Sequence, residues 1–189
     1  LELPGLTVSG ERMSDRASAE QLKEACQDAA VTIKKVECKE KSEKPPALYD
    51  LTTLQRDANR LLGFTAQQTL DYLQSLYEKK LCTYPRTDSR YLTGDMADSL
   101  PVLVNLVANA MPFRKGIAIT CDPQTVINDK KVTDHHAVIP TRNLKDADLS
   151  ALPAGEKAVL ELVALRLLCA VAQPHIYSET VVIAACAGG

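Results

Sequence analysis

A chain of 189 residues in which 46% are hydrophobic is long enough to bury a core, which argues against a disordered segment. Its 22 basic and 24 acidic side chains give a net charge of −2. This balance is not typical of a domain that binds nucleic acid with its whole surface. Any phosphate-binding patch is therefore expected to be local.

The N-terminal part of the chain predicts one helix and one strand. Ser18–Ala30 has apolar residues at helical spacing, with Ser18 as its N-cap. Val31–Lys39 then has the side-chain pattern of a strand. The charged run Lys39–Lys44 and the Pro45-Pro46 pair that follows predict a solvated linker.

The middle of the chain is predicted to be mainly helical. The apolar spacing predicts four helices, at Thr52–Gly63, from Thr65 as N-cap to Lys79-Lys80, at Pro101–Ala108 and at Glu156–Gln173. Residues 111–134 are predicted to be irregular, with short strand-like pieces at Ile117–Ile119 and Val126-Ile127.

The C-terminal residues Ile176–Cys186 read as a strand, and we expect this strand to pair with Val31–Lys39. The predicted fold is therefore α+β. A helical domain, residues 46–174, is inserted between two parts of a β-containing domain, residues 1–45 and 175–189.

The six cysteines are scattered singly and form no C-x-x-C pair, which indicates neither a zinc site nor a disulfide framework. We interpret them as buried, reduced thiols of a cytoplasmic protein. The longest apolar stretch contains Glu161 and Arg166, so no membrane span is predicted. Leu1 is not a natural start and the chain stops directly after a strand pattern, so we expect a fragment.

The stretch Thr83–Leu92 follows the end of a predicted helix and places Tyr84 two residues before Arg86. Tyrosine can attack phosphorus covalently, and arginine holds phosphate through bidentate hydrogen bonds. A free phenol ionises near pH ~10, so the attacking oxygen needs a base or a neighbouring cation such as Arg86. An arbitrary tyrosine is more often a packing residue. Here the loop context favours cleavage of a phosphodiester.

Four motifs occur in order, LYDLTTLQR at Leu48–Arg56, LYE at Leu76–Glu78, TYPRTDSRYL at Thr83–Leu92 and HHAVIPT at His135–Thr141. With these motifs the chain resembles the type IA DNA topoisomerases. The proline between tyrosine and arginine and the two adjacent histidines are most similar to the topoisomerase III branch of that family.

The resemblance implies that Tyr84 attacks a phosphodiester of single-stranded DNA and forms a 5′-phosphotyrosine link. The released 3′-hydroxyl later reverses the step, after another strand has passed through the gap. The covalent link conserves the bond energy, so such an isomerase needs no ATP. Residues 46–174 would be the catalytic-tyrosine domain, and residues 1–45 and 175–189 would be parts of the family's arch domain.

The resemblance also implies further site residues. His135 matches a phosphate-proximal histidine, although a His-His pair can also be a loop feature or half of a metal site. Asp88 is expected to hold the His135 ring or to pair with Arg86; capping the following turn is the alternative. Glu78 matches a position near the active site, and a carboxylate is electrostatically unfavourable at a helix C-terminus, which favours a function.

DNA contacts are predicted for four residues, Arg86, Arg90, Gln55 and Thr53. Arg56 could also contact a backbone phosphate, and a solvated surface role is the alternative for both Arg90 and Arg56. The alternative for Thr53 is an ordinary place in the first turn of a helix.

The glutamate, Asp-x-Asp pattern and lysine of the family's Toprim module are not found in these residues. We therefore expect no metal site in the fragment, and the Mg²⁺ of the full-length enzyme to bind elsewhere. The isolated fragment is expected to be inactive. Its expected partners are single-stranded DNA and the remaining domains of the same polypeptide, in the cytoplasm and without a membrane.

Two other interpretations remain from the residues themselves. The helices at Thr52–Gly63 and Thr65–Lys80 could form a helix-turn-helix regulator, which would need a basic recognition helix that the second segment does not offer. A tyrosine recombinase also forms phosphotyrosine links, but it gathers several arginines and histidines around its nucleophile and acts on duplex sites.

Overall fold

The computed structural model describes residues 14–111 and 120–186. In this part of the chain the helices and strands are α1 (Arg16–Cys26), β1 (Val31–Glu43), α2 (Leu51–Leu62), α3 (Ala66–Glu78), α4 (Leu100–Ala110), α5 (Ala154–Ala170) and β2 (His175–Cys186). These elements confirm the predicted α+β class.

The chain packs as two compact units. The described residues of the first unit are 14–41 and 176–186, and the second unit consists of residues 42–175. The assignment of these units to an arch domain and a catalytic-tyrosine domain stays a prediction.

In the first unit, β1 and β2 pair to form a two-stranded sheet, as expected from the strand patterns. The predicted N-cap of α1 is wrong by three residues. Asp15 occupies that position, because its carboxylate accepts hydrogen bonds from the backbone N–H groups of Ala17 and Ser18. The hydroxyl of Ser18 donates to the same carboxylate at 2.5 Å.

The predicted linker at Lys39–Lys44 is also wrong for most of its length, since β1 continues to Glu43. The charges are tolerated there because this part of the strand is exposed, and Lys41 forms a 2.7 Å ion pair with Glu179 of β2. The apolar side chains of the strands are exposed as well, including Val31, Ile33 and Ile176, each at 60% or more. The described residues of this unit therefore build little core of their own.

The second unit opens with two helices whose ends match the sequence signals. The Asp50 carboxylate accepts from the backbone N–H of Thr53, and the Thr53 hydroxyl accepts from the backbone N–H of Asp50, so a capping box starts α2. Gly63 ends that helix with φ +71°, a left-handed conformation that costs glycine little. Thr65 and Gln68 form a second capping box at the start of α3.

The core of this unit is built around α5, which packs against α2, α3 and α4. Its buried apolar residues are Val159, Leu160, Val163, Ala164, Leu167, Leu168 and Ala170. The predicted helix is confirmed, with bounds shifted towards the N-terminus by two or three residues. Pro101 lies in the first turn of α4, as predicted from its missing N–H group.

Between α4 and α5 the described chain forms short 3₁₀ helices, at Pro123–Thr125, Asp129–Lys131, Arg142–Asp146 and Leu149–Ala151. The predicted strand piece Val126-Ile127 is present only as an isolated bridge between Ile127 and Leu92. The piece predicted at Ile117–Ile119 lies outside the described residues. Among residues 14–111 and 120–186, no helix has the length and apolar character required to cross a membrane.

The prediction that the cysteines are buried is wrong for most of them. Cys82 is buried, Cys38 and Cys169 are exposed, and the remaining three lie partly buried. Cys38 is exposed because it lies on β1, where almost every side chain faces solvent.

Candidate active site

The loop that carries Tyr84 is fixed to the segment that carries His135. The backbone N–H of Thr83 donates to the carbonyl of Ile139 at 3.0 Å. The Thr83 hydroxyl donates to the carbonyl of Ala137 at 3.2 Å and accepts from the N–H of Ile139 at 3.0 Å. The residue directly before Tyr84 is therefore paired in register with the histidine segment.

Thr87 fixes the other side of the same loop. Its buried hydroxyl donates to the carbonyl of His135 at 2.9 Å and accepts from the N–H of Ser89 at 3.1 Å. Its carbonyl accepts from the N–H of Leu51, the first residue of α2. Thr87 thus joins three segments, and the sequence analysis missed this role although the residue lies within the tyrosine motif.

Tyr84 lies between two other aromatic side chains. Its ring centroid is 4.3 Å from that of His135 and 5.5 Å from that of Tyr77, which contacts it edge-on at 84°. The side chain is half-buried, and within the described part of the chain its hydroxyl forms no hydrogen bond. The structure therefore brings together Tyr84 and His135, and it leaves the phenolic oxygen available.

Arg86 is exposed and reaches α3. Its Nη1 donates to the side-chain oxygen of Gln74 at 3.4 Å, at the long end of hydrogen-bonding distances. The Gln74 amide nitrogen donates to Oε1 of Glu78, the last residue of α3, at 3.0 Å. Gln74 thus connects two of the predicted site residues, and the sequence analysis gave no role to it.

The contacts predicted for Asp88 are not observed. Its side chain is exposed, and among the described residues its carboxylate bonds to neither His135, Arg86 nor the following turn. The physical reason is the backbone of Thr87 and Ser89, whose side chains are buried on either side and leave Asp88 pointing to solvent. Its role in catalysis stays a prediction.

Three residues predicted to contact DNA make bonds within the protein. The Thr53 hydroxyl belongs to the capping box of α2, and the Gln55 amide donates to the carbonyl of Ala66 at 3.0 Å. Nε of Arg90 donates to the carbonyl of Leu48 at 3.1 Å. These bonds explain the residues structurally, and their contacts with DNA stay predictions.

A second nucleophile lies close to Tyr84 in sequence but is inert. Cys82 is buried, and burial raises the pKa of its thiol to about 12. At neutral pH the sulfur is therefore protonated and enclosed. Cys82 therefore does not compete with Tyr84 as a nucleophile.

The described residues do not fit a magnesium site. Across 14–111 and 120–186, no group of three or more histidine, cysteine, aspartate or glutamate side chains could hold a metal ion. No step of a reaction is therefore assigned to a metal held by these residues.

The comparison with known families decides the identity. A family model described as DNA topoisomerase matches residues 5–189. This chain belongs to the DNA topoisomerase family. DNA topoisomerase 3 of Shouchella clausii is 42% identical over 165 residues, which cover 84% of this chain and 22% of that relative. DNA topoisomerase 3 of Bacillus licheniformis is 38% identical over 189 residues, covering 96% of this chain and 25% of that relative.

The resemblance of the motifs to type IA topoisomerases, and to topoisomerase III in particular, is confirmed by these relatives. A solved structure of full-length topoisomerase I from Thermotoga maritima has a TM-score of 0.65 to this topoisomerase chain. It is 24% identical and covers 92% of this chain and 28% of its own, so it supports the fold alone. The chain spans about a quarter of the length of the curated relatives.

Proposed function

We propose that this chain carries the DNA-cleaving tyrosine of a type IA topoisomerase and that Tyr84 is the nucleophile. The observation that carries the proposal is the hydroxyl of Tyr84, which bonds to no described residue and lies next to the His135 ring, two residues before the exposed Arg86. Family membership supplies DNA as the substrate.

The proposed step is a transesterification in single-stranded DNA. The phenol loses its proton as its oxygen forms a bond to phosphorus, and the bond from phosphorus to the 3′-oxygen breaks. The 3′-oxygen takes up a proton and leaves as a hydroxyl, while the 5′-phosphate stays on Tyr84. Religation is the reverse, so neither oxidation nor ATP enters the balance, and another strand passes while the link exists.

The neighbouring side chains suit the charge that develops at the phosphate. Arg86 bonds to Gln74 alone among the described residues, so its other N–H donors can hold the non-bridging oxygens. His135 stacks on the phenol and is held by the bond from Thr87 to its backbone carbonyl. We assign His135 to phosphate contact, with the Thr83 and Thr87 hydroxyls keeping the two segments in register.

The proposal is tested by trapping the adduct. The full-length enzyme is incubated with single-stranded oligonucleotides labelled at either end, and the reaction is stopped with denaturant. We expect a protein–DNA adduct through a 5′-phosphate, and complete loss of that adduct in Tyr84→Phe. Tyr91→Phe is the matched control in the same loop and should cleave normally.

The same gel separates the rival functions. An adduct through a 3′-phosphate on duplex DNA would indicate a recombinase, and DNA binding without any adduct would indicate a helix-turn-helix regulator. An undiminished adduct in Tyr84→Phe would show that another residue is the nucleophile.

We further propose that Mg²⁺-dependent cleavage needs residues outside this chain, since the described residues do not fit a magnesium site. The 189-residue chain, incubated alone with single-stranded DNA and Mg²⁺, is expected to give no product. Robust cleavage that a chelator abolishes would contradict this proposal.

A further inference from the structure

The side-chain amide of Gln74 connects the two charged residues on either side of it. Its nitrogen donates to Glu78 at 3.0 Å, and its oxygen accepts from Arg86 at 3.4 Å. A primary amide has an acceptor at one end and donors at the other. Turning it over would place N–H groups against the guanidinium and oxygen against the carboxylate, so both neighbours fix its orientation.

The helix that carries Gln74 is itself held by bonds from the neighbouring row of side chains. Glu156, at the start of α5, is 6% exposed and accepts from the hydroxyl of Ser75 at 2.9 Å and from Nζ of Lys79 at 2.5 Å. Ser75 lies one turn before Lys79, the C-cap of α3, and residues 74 and 78 form the adjacent row. The bonds to Glu156 therefore fix the rotation of α3 and direct that row towards the tyrosine loop.

A neutral acceptor suits the function proposed for Arg86. A carboxylate in its place would form an ion pair and neutralise the guanidinium before DNA arrives. An amide oxygen orients the guanidinium through one N–H and leaves its full charge and its remaining donors for phosphate oxygens. The 3.4 Å distance fits a contact that tightens when the substrate is bound.

We propose that Gln74 is a positioning residue that holds the Arg86 guanidinium for the scissile phosphate, with Glu78 fixing the amide. This inference rests on the proposed function of Tyr84 and Arg86. Gln74 touches neither the phenol of Tyr84 nor the ring of His135 in the described contacts, so it acts through Arg86.

The test is a double-mutant cycle in the full-length enzyme. Gln74→Met keeps the length of the side chain and removes both hydrogen bonds. We expect single-turnover cleavage of a single-stranded oligonucleotide to slow about tenfold, since a hydrogen bond to a charged group is lost. The dissociation constant for that oligonucleotide should stay within about twofold, because one exposed contact is a small part of DNA binding.

The cycle is closed with Arg86→Ala, alone and combined with Gln74→Met. If Gln74 acts through Arg86, adding Gln74→Met to the Arg86→Ala enzyme should not slow its cleavage any further. Full additivity of the two rate losses would overturn the proposal. Normal cleavage by Gln74→Met would overturn it as well.

The chain offers a matched control on the same helix. Gln67 donates to Asp71 at 2.7 Å in the same i, i+4 arrangement, but its oxygen accepts from no arginine among the described residues. Gln67→Met should therefore cleave at the parental rate. A slowing equal to that of Gln74→Met would show a general effect on α3 and would count against the inference.

Gln74→Ala serves as a second variant, with thermal unfolding to check that each protein is folded. Should one variant fail to fold, the cycle is read from the other. The outcomes also distinguish a failure of this inference from a failure of the proposed function on which it rests. A parent enzyme that forms no adduct would overturn both, whereas a normal parent with additive variants would overturn the role of Gln74 alone.

Discussion

Arg86 projects an exposed guanidinium from a loop whose neighbours on both sides, Pro85 and Thr87, are buried. Its side chain makes a single hydrogen bond within the described protein, to Gln74. Its charge therefore contributes little to folding and is available to a ligand. This exposure is what the phosphate-binding role proposed for Arg86 requires.

We predict that Arg86→Ala slows cleavage by about 10²- to 10³-fold, the usual loss when one preorganised donor to a developing negative charge is removed. Unfolding in urea should be nearly unchanged, because the side chain is exposed. Single-turnover adduct formation in the full-length enzyme measures the first effect. Arg142→Ala, also exposed, is the control; equal rates for both variants would remove Arg86 from the mechanism.

The residue scale also shows how far the sequence could predict the site. Tyr84, Arg86 and His135 were singled out because their motifs carry chemistry that a sequence displays, and their catalytic roles stay predictions. Gln74 and Thr87 were not found, because their importance comes from partners distant in sequence or from burial. Asp88 was assigned contacts that are not observed among the described residues, where its side chain is exposed.

At the scale of helices, the contact between α3 and α5 depends on a residue without a side chain. A Cβ atom at Gly155 would lie 2.4–2.8 Å from ring atoms of Tyr72. The same ring contacts Phe64 edge-on at a centroid distance of 5.3 Å, so moving it would disturb that contact. Gly155 in the first turn of α5 therefore allows the two helices to approach.

We predict that Gly155→Ala lowers the free energy of unfolding by about 1–3 kcal/mol, the usual range for overpacking. The measurement is urea unfolding of the chain, followed by circular dichroism. In a Tyr72→Ala background the same substitution should cost little, because the clash is gone. An equal cost in both backgrounds would show that the ring is not the cause.

The end of α2 at Gly63 and the start of α3 at Thr65 were predictable because capping is a local interaction. Asp50 and Thr65 cap the first turns of α2 and α3, and Gly63 ends α2, through bonds to residues nearby in the chain. The predicted bounds of α2 and α3 are correct within about two residues. The close approach at Gly155 joins segments distant in the chain, so nothing near it in sequence indicates it.

At the scale of the whole molecule, one network ties three parts of the second unit together. The Tyr49 hydroxyl donates to Asp57 of α2 at 2.7 Å and accepts from Arg166 of α5 at 3.0 Å. Arg166 also pairs with Asp57 and lies 4.1 Å above the Tyr49 ring. The segment before α2 is thereby joined to both helices.

This network predicts how stability depends on pH. Burial, together with the hydrogen bond to Asp57, raises the pKa of Tyr49 to about 12 from an ordinary value of 10.0. The folded state thus favours the neutral phenol of Tyr49. The contribution of this phenol to the free energy of unfolding is complete below pH 10.0 and is lost as the pH rises towards 12. We expect a loss on the order of 1–3 kcal/mol over this range.

The measurement is urea unfolding at a series of pH values between 9 and 12, as an approximate range bracketing the two pKa values (~10 and ~12). Tyr49→Phe should be less stable than the parent at neutral pH and should lose much of the alkaline dependence. Tyr72→Phe, which keeps the buried network, is the control. An alkaline loss that is unchanged in Tyr49→Phe would assign the titration to another group.

At acid pH the same network loses stability as the pH falls, because Asp57 becomes protonated. Burial alone would raise the pKa of Asp57, but hydrogen bonds from Tyr49 and Arg60 and the charges of Arg166 and Arg60 together lower it. This contribution to stability is therefore present above the ordinary value of 3.8 and is lost as the pH falls below it. The network therefore stabilises the fold most between the ordinary pKa values of the two groups, 3.8 for Asp57 and 10.0 for Tyr49.

The sequence by itself determined the α+β class, the capped helices α2 and α3, and the motifs that contain Tyr84, Arg86 and His135. Hydrophobic period, caps and motif spacing are local properties, so they can be read along the chain. Only the tertiary structure decided that the Thr83 and Thr87 hydroxyls hold the tyrosine loop against the histidine segment.

The tertiary structure also decided that Gln74 links Arg86 to Glu78, and that the missing side chain of Gly155 leaves space for the Tyr72 ring. These contacts depend on which surfaces of distant segments meet. That choice follows from burying the apolar faces of α2, α3, α4 and α5 together, and no single segment of the sequence contains it.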